Sequence, residues 1–134
     1  MDKRKICIAT GTRADWGLLS SLAKALKSRA DVDLKIIATN MHLSERYGST
    51  WREIERDGFS IDWKVPMTAD TDSPQGTVEA MSECMAGMAA AFSSLRPDLL
   101  IILGDRYEML ATASAALIFR IPVAHIAGGA VSRG

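Results

Sequence analysis

The 134 residues are enough for one domain with a core of its own, since a chain of this size buries about two-thirds of its unfolded surface. An apolar share of 48% beside 24% charged residues excludes a disordered chain. Sixteen basic residues balance sixteen acidic ones, and with no Lys/Arg stripe to release counterions the chain is not expected to bind nucleic acid.

The elements alternate along the chain. Residues 5–9 (KICIA), 34–38 (LKIIA), 60–65 (SIDWKV), 99–103 (LLIIL) and 122–126 (PVAHI) are short and apolar or β-branched, which suits strands covered on both faces of a parallel sheet. The third alternates like an edge strand. Helical spacing of Leu18, Leu19, Leu22 and Leu26 predicts a helix over 15–29, and TWREIERD predicts a second over 50–57, closed by Gly58. A third helix is predicted over 74–95, with Ser73 as N-cap, Pro74 at its first position and Arg96-Pro97 at its end. A fourth covers 107–119. This βαβαβαβαβ order predicts right-handed crossovers and an α/β, Rossmann-like three-layer sandwich on a mainly parallel sheet of about five strands. The fifth strand is expected to be well packed, with the tail after Gly129 loosely held.

Several features fix the remaining expectations. Cys7 and Cys84 lie far apart without metal-ligand spacing, so buried, reduced thiols are expected, and no Cys/His/carboxylate cluster implies a metal. The N-terminus lacks a long apolar segment, and the apolar window 109–131 is broken by Arg120, Pro122 and His125, which argues for a soluble, cytoplasmic protein without a membrane span. Met81, Met85, Met88, Phe92 and Leu95 form a stripe that is ordinarily core. The helix is so apolar all round that a homodimer through residues 81–95 is the alternative.

In open parallel sheets ligands bind beyond the carboxyl ends of the strands, and the polar loops cluster there. After the first strand, Gly11, Thr12 and Arg13 place backbone N–H groups and a guanidinium at a helix N-terminus, an arrangement suited to a phosphate or carboxylate. The plain alternative is a βα turn with Arg13 paired to Asp15. Neither GxGxxG nor GxxxxGK[ST] occurs. After the fourth strand, GDRYE sets Asp105 at the edge of the core, where partial burial and the neighbouring Arg106 tune a carboxyl for proton transfer. Glu108 follows in the first helical turn; the plain alternative for Asp105 is a helix cap. His42 lies in the loop after strand two, a position that favours function, whereas His125 inside strand five is expected to be a satisfied core histidine. The acidic loop 68–73 (TADTDS) reads as a mobile surface connection.

The runs GTRADWGLL, TNMHLSERYGSTWREIERDGF, RPDLLIILGDRYEMLATASAA and IPVAHIAGG resemble the N-terminal domain of the hydrolysing UDP-N-acetylglucosamine 2-epimerases. The resemblance covers nearly the whole chain. Non-hydrolysing epimerases resemble GTRPE…K at the first loop, where this chain has Ala14, Asp15 and Leu18. The resemblance implies two Rossmann-like domains arranged as in B-type glycosyltransferases with a cleft between them, residues 1–134 being an incomplete N-terminal domain and the nucleotide-holding second domain lying outside it. It implies conversion of UDP-N-acetylglucosamine and water to N-acetylmannosamine and UDP for sialic-acid-type sugars, without a cofactor. Asp105, Glu108 and His42 would be catalytic; Gly11, Arg13, Arg106, Gly128 and Gly129 would contact the UDP-sugar. The family pattern HIxGGE is broken here by Ala127 at x and Ala130 in place of the glutamate, so a carboxylate is missing, and the isolated chain is expected to be inactive. The other readings are a UDP-diacetylbacillosamine 2-epimerase, a glycosyltransferase of the same architecture, and a non-catalytic nucleotide-sugar-binding or oligomerisation module.

Overall fold

The computed structural model describes residues 2–45 and 48–128. Five parallel strands, β1 (Arg4–Thr10), β2 (Val32–Thr39), β3 (Trp63–Val65), β4 (Leu99–Leu103) and β5 (Val123–Ile126), lie in the order β3-β2-β1-β4-β5. The chain steps outward from β1 to β3, then crosses back to lay β4 on the other side of β1. The order therefore reverses between β1 and β4, which opens a crevice at their carboxyl ends.

Helices α1 (Arg13–Lys27) and α2 (Trp51–Arg56) contribute to one core, α3 (Pro74–Leu95) and α4 (Tyr107–Ile118) to the other. The pleat sorts β1 between them: Ile6 and Ile8 join Trp16, Leu19, Ala23 and Ile54, while Cys7 and Ala9 join Cys84, Met88, Phe92 and Met109. Trp16 meets Phe59 edge-on at 5.3 Å and donates its indole N–H to Asp57 at 2.8 Å, so the tryptophan of the GTRADWG run pins α1 to α2. Both cysteines are buried and free, and burial pushes the Cys7 thiol up to about 12.

The α/β sandwich and every expected element are present. β3 is shorter than the run 60–65 suggests and does form an edge. Ser73 caps α3, its hydroxyl accepting the Gly76 N–H at 3.0 Å. Met88 and Phe92 of the methionine stripe are core, whereas Met85 is exposed. One expectation fails. The fifth strand is not well packed: it is the other edge of the sheet, and Val123, His125 and Ile126 are exposed. Loop 68–73 lies at the surface with its first two residues tethered, because Glu83 of α3 accepts hydrogen bonds from Thr68 N–H at 2.9 Å, its hydroxyl at 2.6 Å and Ala69 N–H at 2.7 Å. Those bonds hold the Glu83 carboxyl below its ordinary range.

The apolar face of α3 carries an open hollow of about 580 Å³ lined by Val78, Met81, Met85, Ala86 and Ala89. A second exposed apolar band runs along α4 and the strand after it, through Leu110, Leu117, Ile118 and Val123.

Candidate functional site

The reversal of strand order brings the turn after β1 against the turn after β4. At their contact Glu108, in the first turn of α4, is wholly buried, and its Oε1 accepts from Arg106 Nε at 2.7 Å. Gly11 makes room for it: a Cβ at that position would lie 2.7 Å from Glu108 Oε1. The glycine of the GTR run is thus needed for close approach of a neighbouring side chain. Glu108 Oε2 is buried and has no hydrogen-bond partner among the described residues.

Arg106 is the N-cap residue of α4; its guanidinium is anchored at Nε by Glu108 and lies 5.5 Å from the Tyr107 ring centre, and its side chain remains 38% exposed. Burial works against the charge of Arg106, but the hydrogen bond and charge of Glu108 outweigh it and raise the group further. Asp15, in the first turn of α1, is shifted upward by burial and by the nearby charge of Glu108, with Thr12 and Arg106 opposing. The crevice floor thus gathers two carboxyls and one guanidinium.

Thr12 caps α1, accepting the Asp15 N–H at 3.1 Å, which leaves the helix N-terminus pointing into the crevice. Arg13 does not pair with Asp15: its Nε lies 3.1 Å from Glu53 of α2 and its side chain is 72% exposed, within reach of a ligand. Asp105 lies at the mouth with its side chain 51% exposed, beyond Gly104 with its positive φ of 78°, and is not the cap of α4, since Arg106 takes that position. A hollow of about 400 Å³ beside it is lined by Gly104, Asp105, Arg106, Leu110, Ala113 and His125.

His42 departs from its expected place at the cleft surface. It sits fully buried in a 3-10 turn (Asn40–Leu43), with Nε2 2.8 Å from the Thr10 hydroxyl and Nδ1 3.0 Å from the Thr50 hydroxyl. Its N–H also donates to the Gly11 carbonyl at 3.3 Å. Burial drives the imidazole down to about 4, so at neutral pH it is an uncharged brace between β1, the 3-10 turn and the start of α2. A ring with one donor and one acceptor matches two hydroxyls that can each play either part.

His125 is the converse correction. Its side chain is 42% exposed, with Nε2 2.7 Å from the Gly104 carbonyl and 3.6 Å from Asp105 Oδ1. The apolar run 122–126 gives no sign that β5 is an edge, which is why its histidine reads as core in the sequence. Gly128 lies against this ring, while Gly129, Ala130 and the tail after them fall outside the described residues. The structure therefore brings together Gly11, Asp15, Arg106 and Glu108 where the turns after β1 and β4 meet, with Arg13 on the exposed side of the first turn against Glu53, His42 behind that turn, and Asp105 beside His125 on the second. Among the described residues no three His, Cys, Asp or Glu side chains gather as a metal site, and no helix is long and apolar enough to cross a membrane.

Comparison with known proteins bears on the family and the fold. A family model described as UDP-N-acetylglucosamine 2-epimerase matches residues 24–133. The chain is 43% identical over 134 residues to the GDP/UDP-N,N'-diacetylbacillosamine 2-epimerase (hydrolyzing) of Campylobacter jejuni, covering all of this chain and 35% of that one. It is 43% identical over 126 residues to the UDP-N,N'-diacetylbacillosamine 2-epimerase (hydrolyzing) of Legionella pneumophila, covering 94% of this chain and 33% of that one. The UDP-GlcNAc 2-epimerase of Methanocaldococcus jannaschii, solved with UDP-GlcNAc and UDP, superposes with a TM-score of 0.79 at 27% identity over 96% of this chain and 33% of its own. The chain spans about a third of the length of the relatives it matches.

The depressed imidazole makes a pH prediction. The unfolded chain takes up a proton at its ordinary value near 6.5, while folded His42 refuses it until about 4. Its contribution is therefore complete above that unfolded value and is lost as pH falls, at about 1.4 kcal/mol per pH unit within the window. Urea unfolding across this range is expected to show wild type losing stability relative to His42→Gln as pH drops; a difference independent of pH would contradict the neutral, buried assignment.

Proposed function

The chain belongs to the UDP-N-acetylglucosamine 2-epimerase family, and from that membership we propose that its β1/β4 crevice receives the sugar and diphosphate of a UDP-linked N-acetylated amino sugar for hydrolysing 2-epimerisation. The observation that carries this reading is the convergence of Arg13 and the α1 N-terminus from one turn with Asp105 and Arg106 from the other. The chemistry removes the proton at C2, expels UDP and adds water with the opposite configuration. That requires an acid/base carboxyl and cationic or N–H groups facing the leaving diphosphate. Asp105, exposed at the mouth, supplies the carboxyl; Arg13 and Arg106 supply the positive charge.

Glu108 and His42 take supporting roles in this proposal, since neither is open to a substrate: Glu108 orients Arg106, and His42 braces the turn that carries Arg13. A second, nucleotide-holding Rossmann-like domain completes the cleft in this reading. Between the two donors, the 43% identity to two diacetylbacillosamine 2-epimerases supports the diacetylated sugar over UDP-N-acetylglucosamine. The proposed setting is cytoplasmic supply of sialic-acid-type sugars.

With either donor the 134 residues alone are expected to bind weakly and to release no UDP above a buffer control, as 31P NMR reads it. Arg13→Gln is expected to weaken binding about tenfold, the loss of one charge-assisted contact, and Asp105→Asn to leave binding within about threefold, because a proton-transfer group adds little to ground-state affinity. Binding indifferent to Arg13→Gln, or UDP release that survives Asp105→Asn unchanged, would overturn the assignment.

We also propose that the hollow on α3 seats a second copy of the chain, on the strength of its exposed Val78 and Met85 beside Met81, Ala86 and Ala89. Light scattering is expected to show a dimer that Met85→Glu dissociates; a strict monomer at high concentration would exclude it.

A further inference from the structure

We infer that His125 is the positioning residue for Asp105. The inference rests on the proposed role of Asp105 as the acid/base group, and it starts from the way β5 holds the turn after β4. Gly104 has a φ of 78°, a left-handed conformation, and both of its backbone polar groups are taken by β5. Its N–H donates to the Ile126 carbonyl at 2.8 Å, and its carbonyl faces His125 Nε2 at 2.7 Å. Asp105 follows directly, so its place at the crevice mouth is set by a peptide clamped on either side by consecutive residues of one strand.

A carbonyl oxygen only accepts. The short contact therefore requires hydrogen on Nε2 of His125, which fixes the neutral ring as the Nε2–H tautomer and leaves Nδ1 as its acceptor. The same nitrogen lies 3.6 Å from Asp105 Oδ1, so the N–H edge of the ring, and in the doubly protonated ring its positive charge, stands beside the carboxylate. The ring is held from behind as well. Ala127 takes a φ of 55°, turning the chain so that Gly128 comes back over the imidazole, where a Cβ would run into the ring atoms. Gly128, expected from sequence to touch substrate, is needed here to let the backbone close on His125. An exposed histidine on an edge strand would ordinarily sample several rotamers; this one is confined between the Gly104 carbonyl and the 127–128 turn. The consequence is a relay of position, in which the ring fixes Gly104 and Gly104 fixes Asp105.

The test needs no substrate, so it fails or succeeds separately from the epimerase reading. His42 and His125 are the two histidines of the chain, and long-range 1H–15N spectra of the labelled 134-residue protein resolve both, with His42→Gln assigning them. The expected result is an Nε2–H tautomer for His125. His125→Leu is expected to shift the Gly104 carbonyl and Asp105 amide and carboxyl signals while leaving the β1 and β2 signals in place. His125→Gln, whose side-chain amide can donate to the same carbonyl, is expected to return them toward wild type. An Nδ1–H tautomer, or Asp105 signals that ignore both substitutions, overturns the inference. Should the leucine variant fail to fold, the tautomer in wild type decides alone.

Discussion

The crevice depends on one close approach, that of the Glu108 carboxylate to the backbone of Gly11. A carboxylate with no exposed surface is costly unless something answers its charge, and Arg106 does so through a single short contact. That contact is available only because the first turn of α4 can sit hard against the turn after β1, where any side chain at residue 11 would collide with Oε1. From the other side the Gly11 carbonyl accepts the His42 N–H, and the His42 ring spans the hydroxyls of Thr10 and Thr50. Three loops from three strands are thereby locked to one another by buried polar groups. The part-exposed guanidinium groups, Arg13 and Arg106, inherit their positions from that buried layer, whereas Asp105 follows the Gly104 turn that β5 holds.

In the proposed reading this division separates the residues that hold the site from those that can meet a ligand. Histidine and glutamate are chemically versatile, so His42 and Glu108 invite a catalytic role, and both are wholly buried. His125, which the sequence pattern places in the core, is part-exposed beside Asp105. Accessibility is the property that residue type alone does not give.

Much of the architecture was legible in the residues. Continuous apolar runs located β1, β2 and β4, Ser73-Pro74 marked the start of α3, and Gly58 ends the segment after α2 at a φ of 93°. Each of these signals is local, acting through backbone sterics or a capping bond within a few residues. What escaped is non-local. The 3-10 turn at Asn40 begins with a left-handed φ of 52° and is held by Gly11, Thr10 and Thr50, none of them close in sequence. The exposure of β5 follows from strand order, which places it at an edge beyond β4; an apolar run by itself cannot say how many neighbours a strand has. Likewise the run TADTDS reads as loose because its anchor, Glu83, lies in the following helix.

In the proposed function a UDP-sugar meets this chain at the β1/β4 crevice and at no other concavity. A hollow at the opposite end of the sheet, lined by Lys27, Asp33, Leu34, Phe59 and Asp62, offers the natural contrast. Backbone 1H–15N chemical-shift mapping during titration with UDP-N,N'-diacetylbacillosamine tests the claim directly. Perturbations are expected to concentrate at residues 11–15 and 104–108. Perturbations concentrated instead around Lys27, Asp33 and Phe59, with the two turns unmoved, would contradict it.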